Sequence, residues 1–359
     1  MEPDEFDSTY WNGVVELLGG EAALAASALT HKALQRRRAV GSAGSLLRLV
    51  FIYGPGGHSL RTVSGLASAG GIAELSDVAL LKRIAGSAEW LKALCERQLA
   101  AAAPAGGAGL RLRIVDSTTI AAPGKGGSYR LHLSYDPVRQ RTGDLELTAL
   151  NEGERLDRLP LKPGEPVLGD RGYPRPGGLA NLIKSGAHGL VRLTWKSLHL
   201  IDEAGKPVDW NGLFNAAAKH RFAGKPVCVA RPRGRFEPLA LRLAVLPKPA
   251  EAAGLFARQS HARQPQGPAQ FLRSAHARRR RPSHPPHLLE PSQVAAPALK
   301  HLYAVRWQIE LAFKRMKSIL NLDRLPAKNP NLARAWLYAH LLFALLIDTI
   351  AAPQGDFPP

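Results

Sequence analysis

Two cysteines, Cys95 and Cys228, are all that 359 residues contain. They stand far apart with no CxxC spacing, which excludes a disulfide framework and a cysteine-based zinc module. Acidic residues are also scarce: 29 Asp and Glu face 48 Lys and Arg, a net charge of +19. That imbalance predicts a polyanionic partner, nucleic acid first and an anionic membrane surface second. No apolar run reaches the ~20 residues of a membrane span. The longest, Ala335 to Ile347, is interrupted by His340 and predicts a buried helix. The start, MEPDEFD, is acidic, unlike the basic-then-apolar opening of a secretory leader. These absences together predict a protein of the reducing cytoplasm with no membrane partner.

What is present divides the chain. Residues 1–103 carry helical periodicity with many Ala and Leu and few β-branched pairs, predicting an all-α N-terminal region. Within it, Ser59 to Ala69 is followed by Gly70-Gly71 and then by Ser76, Asp77 and the run VALLKRI, with Ser76 placed to cap a second helix. Two short helices about a glycine turn suit a helix-turn-helix that would bring Lys82 and Arg83 to DNA. An ordinary helical hairpin has the same pattern. The triplet Arg36-Arg37-Arg38 would then meet phosphates.

After an Ala/Gly/Pro linker over 101–109 the pattern turns to strands, giving an α/β class. Leu110, Leu112, Ile114 and Asp116 alternate, so Asp116 belongs to a face that its neighbours bury, where a carboxylate needs a cation. Pro123 to Ser128 lacks the Gly-Lys-Ser/Thr ending of a phosphate loop and predicts a hairpin connection. Strands follow at Tyr129–Tyr135 and Leu145–Leu150, then a short helix over Asn151–Leu159. Pro166–Gly169 is a strand running into Asp170-Arg171-Gly172-Tyr173, which sets Asp170 at the carboxyl edge of a sheet, where open α/β folds hold ligands. A helix at Leu179–Ser185 and a strand at Gly189–Thr194 come next, with a β-rich stretch over 195–248. Residues 249–297 are dense in Pro, Gln, His and Arg and contain no run that predicts a buried strand. They are expected to be disordered, the product of a shifted reading frame restored before Leu302 or a flexible basic linker.

Leu302 to Leu320, LYAVRWQIELAFKRMKSIL, organises the rest. On one continuous helix at ~100° per residue, Tyr303, Arg306, Glu310 and Lys317 fall within an arc of about 60°. The adjacent stripe, Leu302, Val305, Ile309, Ala312, Phe313, Met316 and Leu320, is apolar and should pack on a core. A rigid helix would thus present a phenol, a carboxylate and two cations on one line.

The spacing Tyr, two residues, Arg, three residues, Glu, six residues, Lys, followed by KSIL, resembles the signature of the DDE insertion-sequence transposases of the IS-four family. The string DRGY is similar to that family's second catalytic motif. The resemblance covers about Leu46 to Lys248 and Leu302 to Ile347. It implies an RNase H-like mixed-sheet core over 104–194 and 298–359, flanked by helices and split by the β-rich insertion over 195–248. It implies Asp116, Asp170 and Glu310 as catalytic residues and ligands of two Mg²⁺ ions, with Mn²⁺ as a substitute, since hard cations prefer oxygen donors. Tyr303, Arg306, Lys317 and Arg171 would contact DNA. Trp195 either stacks on an unpaired base, as aromatic residues do on single strands, or packs in the small core of the insertion. The implied activity is cut-and-paste transposition by a homodimer, near the bacterial nucleoid, with terminal inverted repeats and target DNA as partners. Against the family pattern, the chain stops early, at GDFPP. Two rivals remain: a metal-dependent nuclease with the same core, and a DNA-binding remnant without catalysis.

Overall fold

The computed structural model describes residues 3–101, 112–124, 128–194, 197–230, 239–247, 269–274 and 296–351. Six helices come first: α1 (Pro3–Leu17), α2 (Gly20–Thr30), α3 (Ala43–Tyr53), α4 (Leu60–Ala69), α5 (Asp77–Ala85) and α6 (Ala88–Ala101). Local chemistry fixes where several begin. Ser42, Ser59 and Ser76 each accept a hydrogen bond from a first-turn N–H, those of Ser45, Thr62 and Ala79, at 3.0, 3.1 and 3.3 Å. These caps satisfy donors that have no partner inside the helix. The Glu21 carboxylate adds a remote cap, accepting from the N–H groups of Ala43 and Gly44 at the start of α3.

One sheet carries nine strands in the order β3-β2-β1-β4-β5-β9-β8-β7-β6. They are β1 (Arg113–Ile120), β2 (Tyr129–Asp136), β3 (Arg141–Ala149), β4 (Pro166–Gly169), β5 (His188–Leu193), β6 (Leu200–Ile201), β7 (Ala223–Val229), β8 (Leu239–Leu246) and β9 (Ala269–Ser274). The first three form an antiparallel meander, β4 pairs parallel to β1, and β5 pairs parallel to β4. Helix α7 (Pro176–Lys184) makes the β4–β5 crossover. This 3-2-1-4-5 half is the expected RNase H-like core. Helix α8 (Trp210–His220) lies between β6 and β7 in the chain.

The stretch expected to be a β-rich insertion does not stand apart. Its strands β7 and β8 join the main sheet through β9, which pairs antiparallel with β5 on one side and β8 on the other. This corrects the expectation for 249–297, because Ala269–Ser274 is an interior strand of the sheet. Six residues inside a Pro- and Arg-rich stretch are too short a run to stand out by alternation. The remainder of that stretch, 249–268 and 275–295, lies outside the described residues, and so do Trp195, Leu110 and the GDFPP ending. A second correction concerns Asn151–Leu159, which is a turn-rich loop and no helix. Its Arg155 pairs with Asp157 and its Arg158 with Glu152, so its charges are satisfied locally without helical spacing.

Three helices close the chain: α9 (Ala296–Ala304), α10 (Trp307–Ser318) and α11 (Pro330–Ala351). The single helix expected over Leu302–Leu320 is therefore broken at Val305-Arg306. The hydrogen bonds there run three residues back, from Arg306 N to Tyr303 O at 3.1 Å and from Gln308 N to Val305 O at 3.1 Å, the signature of a tightened turn. The apolar stripe nevertheless packs as expected, with Ile309, Ala312, Phe313 and Met316 buried.

Both faces of the sheet are covered. Alternation along β1 sends Ile114 into a core shared with the N-terminal helices, α10 and α11, and Val115 into a second core with Leu179 and Leu182 of α7. Helix α11 has the length and apolarity of a membrane span, with 67% of its most apolar window buried inside the protein. It packs against α6, where the Cys95 thiol donates to the Tyr338 carbonyl at 3.6 Å.

Near the far end of α11, burial pushes the Asp348 carboxyl up to about 6, against the opposing pull of the Thr142 N–H, Arg315 and Arg141. A raised carboxyl is protonated more readily in the folded than in the unfolded chain, so stability falls as pH climbs from about 4 to about 6 and is level above that. Asp348→Asn should remove this fall and stand on the order of 2 kcal/mol above the parent at pH 8. Thermal unfolding of both proteins at pH 4 and pH 8 checks it: the gap should open only at the higher pH.

Candidate active site

Asp116 leaves β1 on the face that carries Ile114, toward α10. Its side chain is 13% exposed and meets the cation that burial demands: Arg306 Nη1 donates to Asp116 Oδ2 at 2.8 Å. The same guanidinium donates through Nη2 to Glu310 Oε1, one turn on. Its Cζ lies 5.8 Å from the centre of the Tyr303 ring. Arg306 and Tyr303 both feel the charge of Asp170, which follows β4 next to β1 in the sheet. One arginine thus bridges an aspartate and a glutamate from two separated segments, with Tyr303 alongside and Asp170 close enough for its charge to be felt.

The electrostatics are those of a site short of positive charge. Burial lifts the Asp116 carboxyl to about 6, even though the Ser117 N–H, 2.8 Å from Oδ1, and Arg306 both pull it down, and Asp170 and Glu154 push it further up. Burial likewise raises the Tyr303 phenol to about 12, so it remains a proton donor. Lys317 donates to the Thr119 carbonyl at 3.2 Å, pinning α10 to β1. Arg171 stays beside Asp170, with Nε 3.9 Å from Oδ1, and its backbone N–H donates to the same carboxylate.

Lys82 and Arg83 take no part in this cluster. They lie on α5, where Arg83 reaches the Arg36 carbonyl at 3.5 Å and so adjoins the arginine triplet. The helical pair α4–α5 with its capped second helix is present as expected.

Sequence reasoning missed a support built around Glu154. Its Oε1 accepts from Ser117 Oγ at 2.7 Å and lies 3.6 Å from Arg130 Nη1, which itself donates to Ser117 Oγ at 3.1 Å. The other oxygen rests on Gly172, where a Cβ would fall 1.5 Å from it. Glu154 therefore ties the residue after Asp116 to the turn that carries Asp170. Tyr173, 2% exposed, anchors that turn in the second core, and Gly169 leaves room for its ring. No local pattern marks Glu154, since it stands in a loop and its partners come from β1, β2 and the turn after β4. Gly172→Ala must displace the Glu154 carboxylate, and we expect a loss of about 1–3 kcal/mol of stability, the usual cost of overpacking. Denaturant unfolding measures it, and Glu154→Ala in the Gly172→Ala background should recover part of the loss.

The donor set is all hard oxygen, which suits a divalent cation of the magnesium class. Among the described residues no three His, Cys, Asp or Glu side chains already stand as a ligating group. The guanidinium of Arg306 bridges Asp116 and Glu310, so an ion between those carboxylates requires Arg306 to turn outward.

Residues 107–347 match the family described as Transposase DDE domain. The chain is 38% identical to the protein named as the transposase InsL for insertion sequence element IS186A of Escherichia coli (strain K12), over 97% of this chain and 96% of that protein. It is equally similar, 38% over the same shares, to the transposase for insertion sequence element IS421 of Escherichia coli.

Proposed function

Since the chain belongs to the DDE transposases, enzymes that act on DNA and require a divalent metal, we propose that Asp116, Asp170 and Glu310 are its catalytic carboxylates. They would hold two Mg²⁺ ions, for which Mn²⁺ can substitute. The observation that carries this assignment is the bridge that Arg306 makes between Asp116 and Glu310, with Asp170 following the strand next to β1. Bound there, the metal would supply Lewis acidity and charge neutralisation at the scissile phosphate.

The chain's own side chains do the rest. Asp116, held by the Ser117 N–H and the most buried of the three carboxylates, sets the reference position. Arg306 exchanges its carboxylate partners for a DNA phosphate, which its planar fork can grip through two parallel hydrogen bonds. Tyr303, still protonated, donates to a phosphate oxygen. Lys317 holds α10 to β1 and adds a point charge beside the same backbone. Arg171 meets the strand at the Asp170 turn, and Trp195 stacks on a base freed by cleavage. Lys82, Arg83 and the Arg36–Arg38 triplet form a separate phosphate-binding face on the helical layer, for the terminal repeat.

The reaction would be cut-and-paste transposition near the nucleoid: hydrolysis at each inverted-repeat end, then attack of the freed 3′ hydroxyl on phosphodiesters, with two protein copies bridging two ends. The test is incubation of the protein with a duplex carrying a terminal repeat and flanking DNA, with and without Mg²⁺ or Mn²⁺. Metal-dependent nicking at the repeat boundary is expected. Nicking without repeat preference would indicate a plain nuclease, and repeat binding without nicking a remnant.

A further inference from the structure

The cations in and just before α10 differ in what they hold. Arg306 and Lys317 are engaged inward, on Asp116, Glu310 and the Thr119 carbonyl. An open groove of about 530 Å³ lies between α10, the loop that follows it and Thr118 of β1, with Glu310 in its lining. Lys314 and Lys317 line it from the helix, Asn321 and Arg324 from the loop, with Asp323 its one acid besides Glu310.

The loop wall is a fixed one. Asn321 adopts the left-handed region at φ 53°, which an asparagine tolerates better than most residues. The chain then folds back so that the Leu322 N–H donates to the Met316 carbonyl at 3.1 Å. Leu322 and Leu325 are both buried, on either side of Arg324. Arg324 is therefore exposed on a turn anchored from below. Lys314 is exposed as well, and neither side chain forms an ion pair with any described residue. Two uncommitted cations on rigid supports, in a groove that Glu310 also lines, suit an anionic chain that passes through the site.

The geometry points to this groove as the track for the phosphodiester backbone of the DNA strand continuing from the scissile phosphate, with Lys314 and Arg324 each holding one phosphate. This rests on the transposase assignment above. A DNA strand must extend to both sides of the bond that is cut, and Arg306 and Tyr303, which line no part of this groove, account for only one of them. The shared chemistry is a deoxyribose phosphate backbone; its source is either the element's own end or the flanking DNA.

The experiment uses the full chain with Lys314→Gln, Arg324→Gln and the pair, and measures equilibrium DNA binding across salt concentrations. Each phosphate contact contributes a slope of about −0.9 in log K against log salt, so the double variant should lose nearly 2 units of slope. Lys184→Gln with Lys219→Gln on α7 and α8 removes the same charge elsewhere and should leave the slope unchanged. Two duplexes separate the sources. A change confined to DNA that retains its flank assigns the groove to flanking DNA, and a change on a pre-cut end as well assigns it to the element's end. An unchanged slope on both duplexes overturns the proposal, and so does an equal change in the control pair. Both variant side chains are exposed, so unfolding midpoints should match the parent and any slope change reports on binding. Wild-type protein that binds but never nicks defeats the catalytic assignment while leaving the groove to be judged by its slopes. Wild-type protein that binds neither duplex defeats both.

Discussion

Glu310→Gln is expected to abolish metal-dependent cleavage of terminal-repeat DNA, with a loss on the order of 10³-fold or more, while binding of the same DNA changes little. Outer partners of metal ligands typically cost about 10–100-fold when removed, so a direct ligand should cost more. The substitution keeps the size and one oxygen but removes the charge that a hard cation needs. Glu310 is also more than half exposed and holds no core contact, its side chain being 56% accessible, so the fold should not suffer. Cleavage kinetics and a gel-shift assay on one preparation check both halves. If cleavage by the variant is within tenfold of the parent, Glu310 is no ligand.

The second large effect is expected at Arg306. Arg306→Ala takes away the one ion-pair partner that Asp116 has among the described residues, and the Asp116 carboxylate is 13% exposed and has two acidic neighbours. Removing one member of a well-buried pair costs about 3–5 kcal/mol. This pair retains some solvent, so roughly 2–4 kcal/mol is the expectation on the same scale. The loss should be largest above pH 6, where Asp116 is ionised, and shrink in acid as the carboxyl protonates. Adding Asp116→Asn to Arg306→Ala should restore most of the stability, because the orphaned charge is gone, while cleavage stays absent. Arg306→Lys separates charge from geometry: an ammonium can neutralise Asp116 but cannot bridge it to Glu310 through one planar group. Its stability should lie near the parent and its cleavage well below it. Denaturant unfolding of the parent, Arg306→Ala, Asp116→Asn and the double variant gives the cycle, and strict additivity of the two substitutions would refute the coupling.

How far the site could be foreseen depended on where its information lay. Asp116 was legible because alternation along β1 placed a carboxylate on a buried face, which demands a cation, and Arg306 is that cation. Asp170 was legible from a strand ending in a glycine-bearing turn. The RNase H-like class of the core followed from the resemblance, and the capped α4–α5 pair from serine and glycine positions. Glu154 was invisible, since its meaning comes from Ser117 and Gly172, which only the folded chain brings near. The break at Val305-Arg306 escaped notice because the apolar stripe runs through it without a skip. Strand β9 escaped because six residues carry too little periodicity to outweigh composition on both sides. Tertiary pairing, at β5 and β8, specifies it.

The core that joins α6 to α11 has a consequence for copies of this gene that decay. Trp90, Leu91 and Leu94 are buried in the same cluster as Trp336, Leu337 and Leu341. A product terminated ahead of position 330 would keep every residue of the first six helices yet lack the partner that dries their inner surface. Such a fragment should be cleared by proteolysis before it could occupy the repeats, so a broken copy would fall silent without restraining its intact siblings.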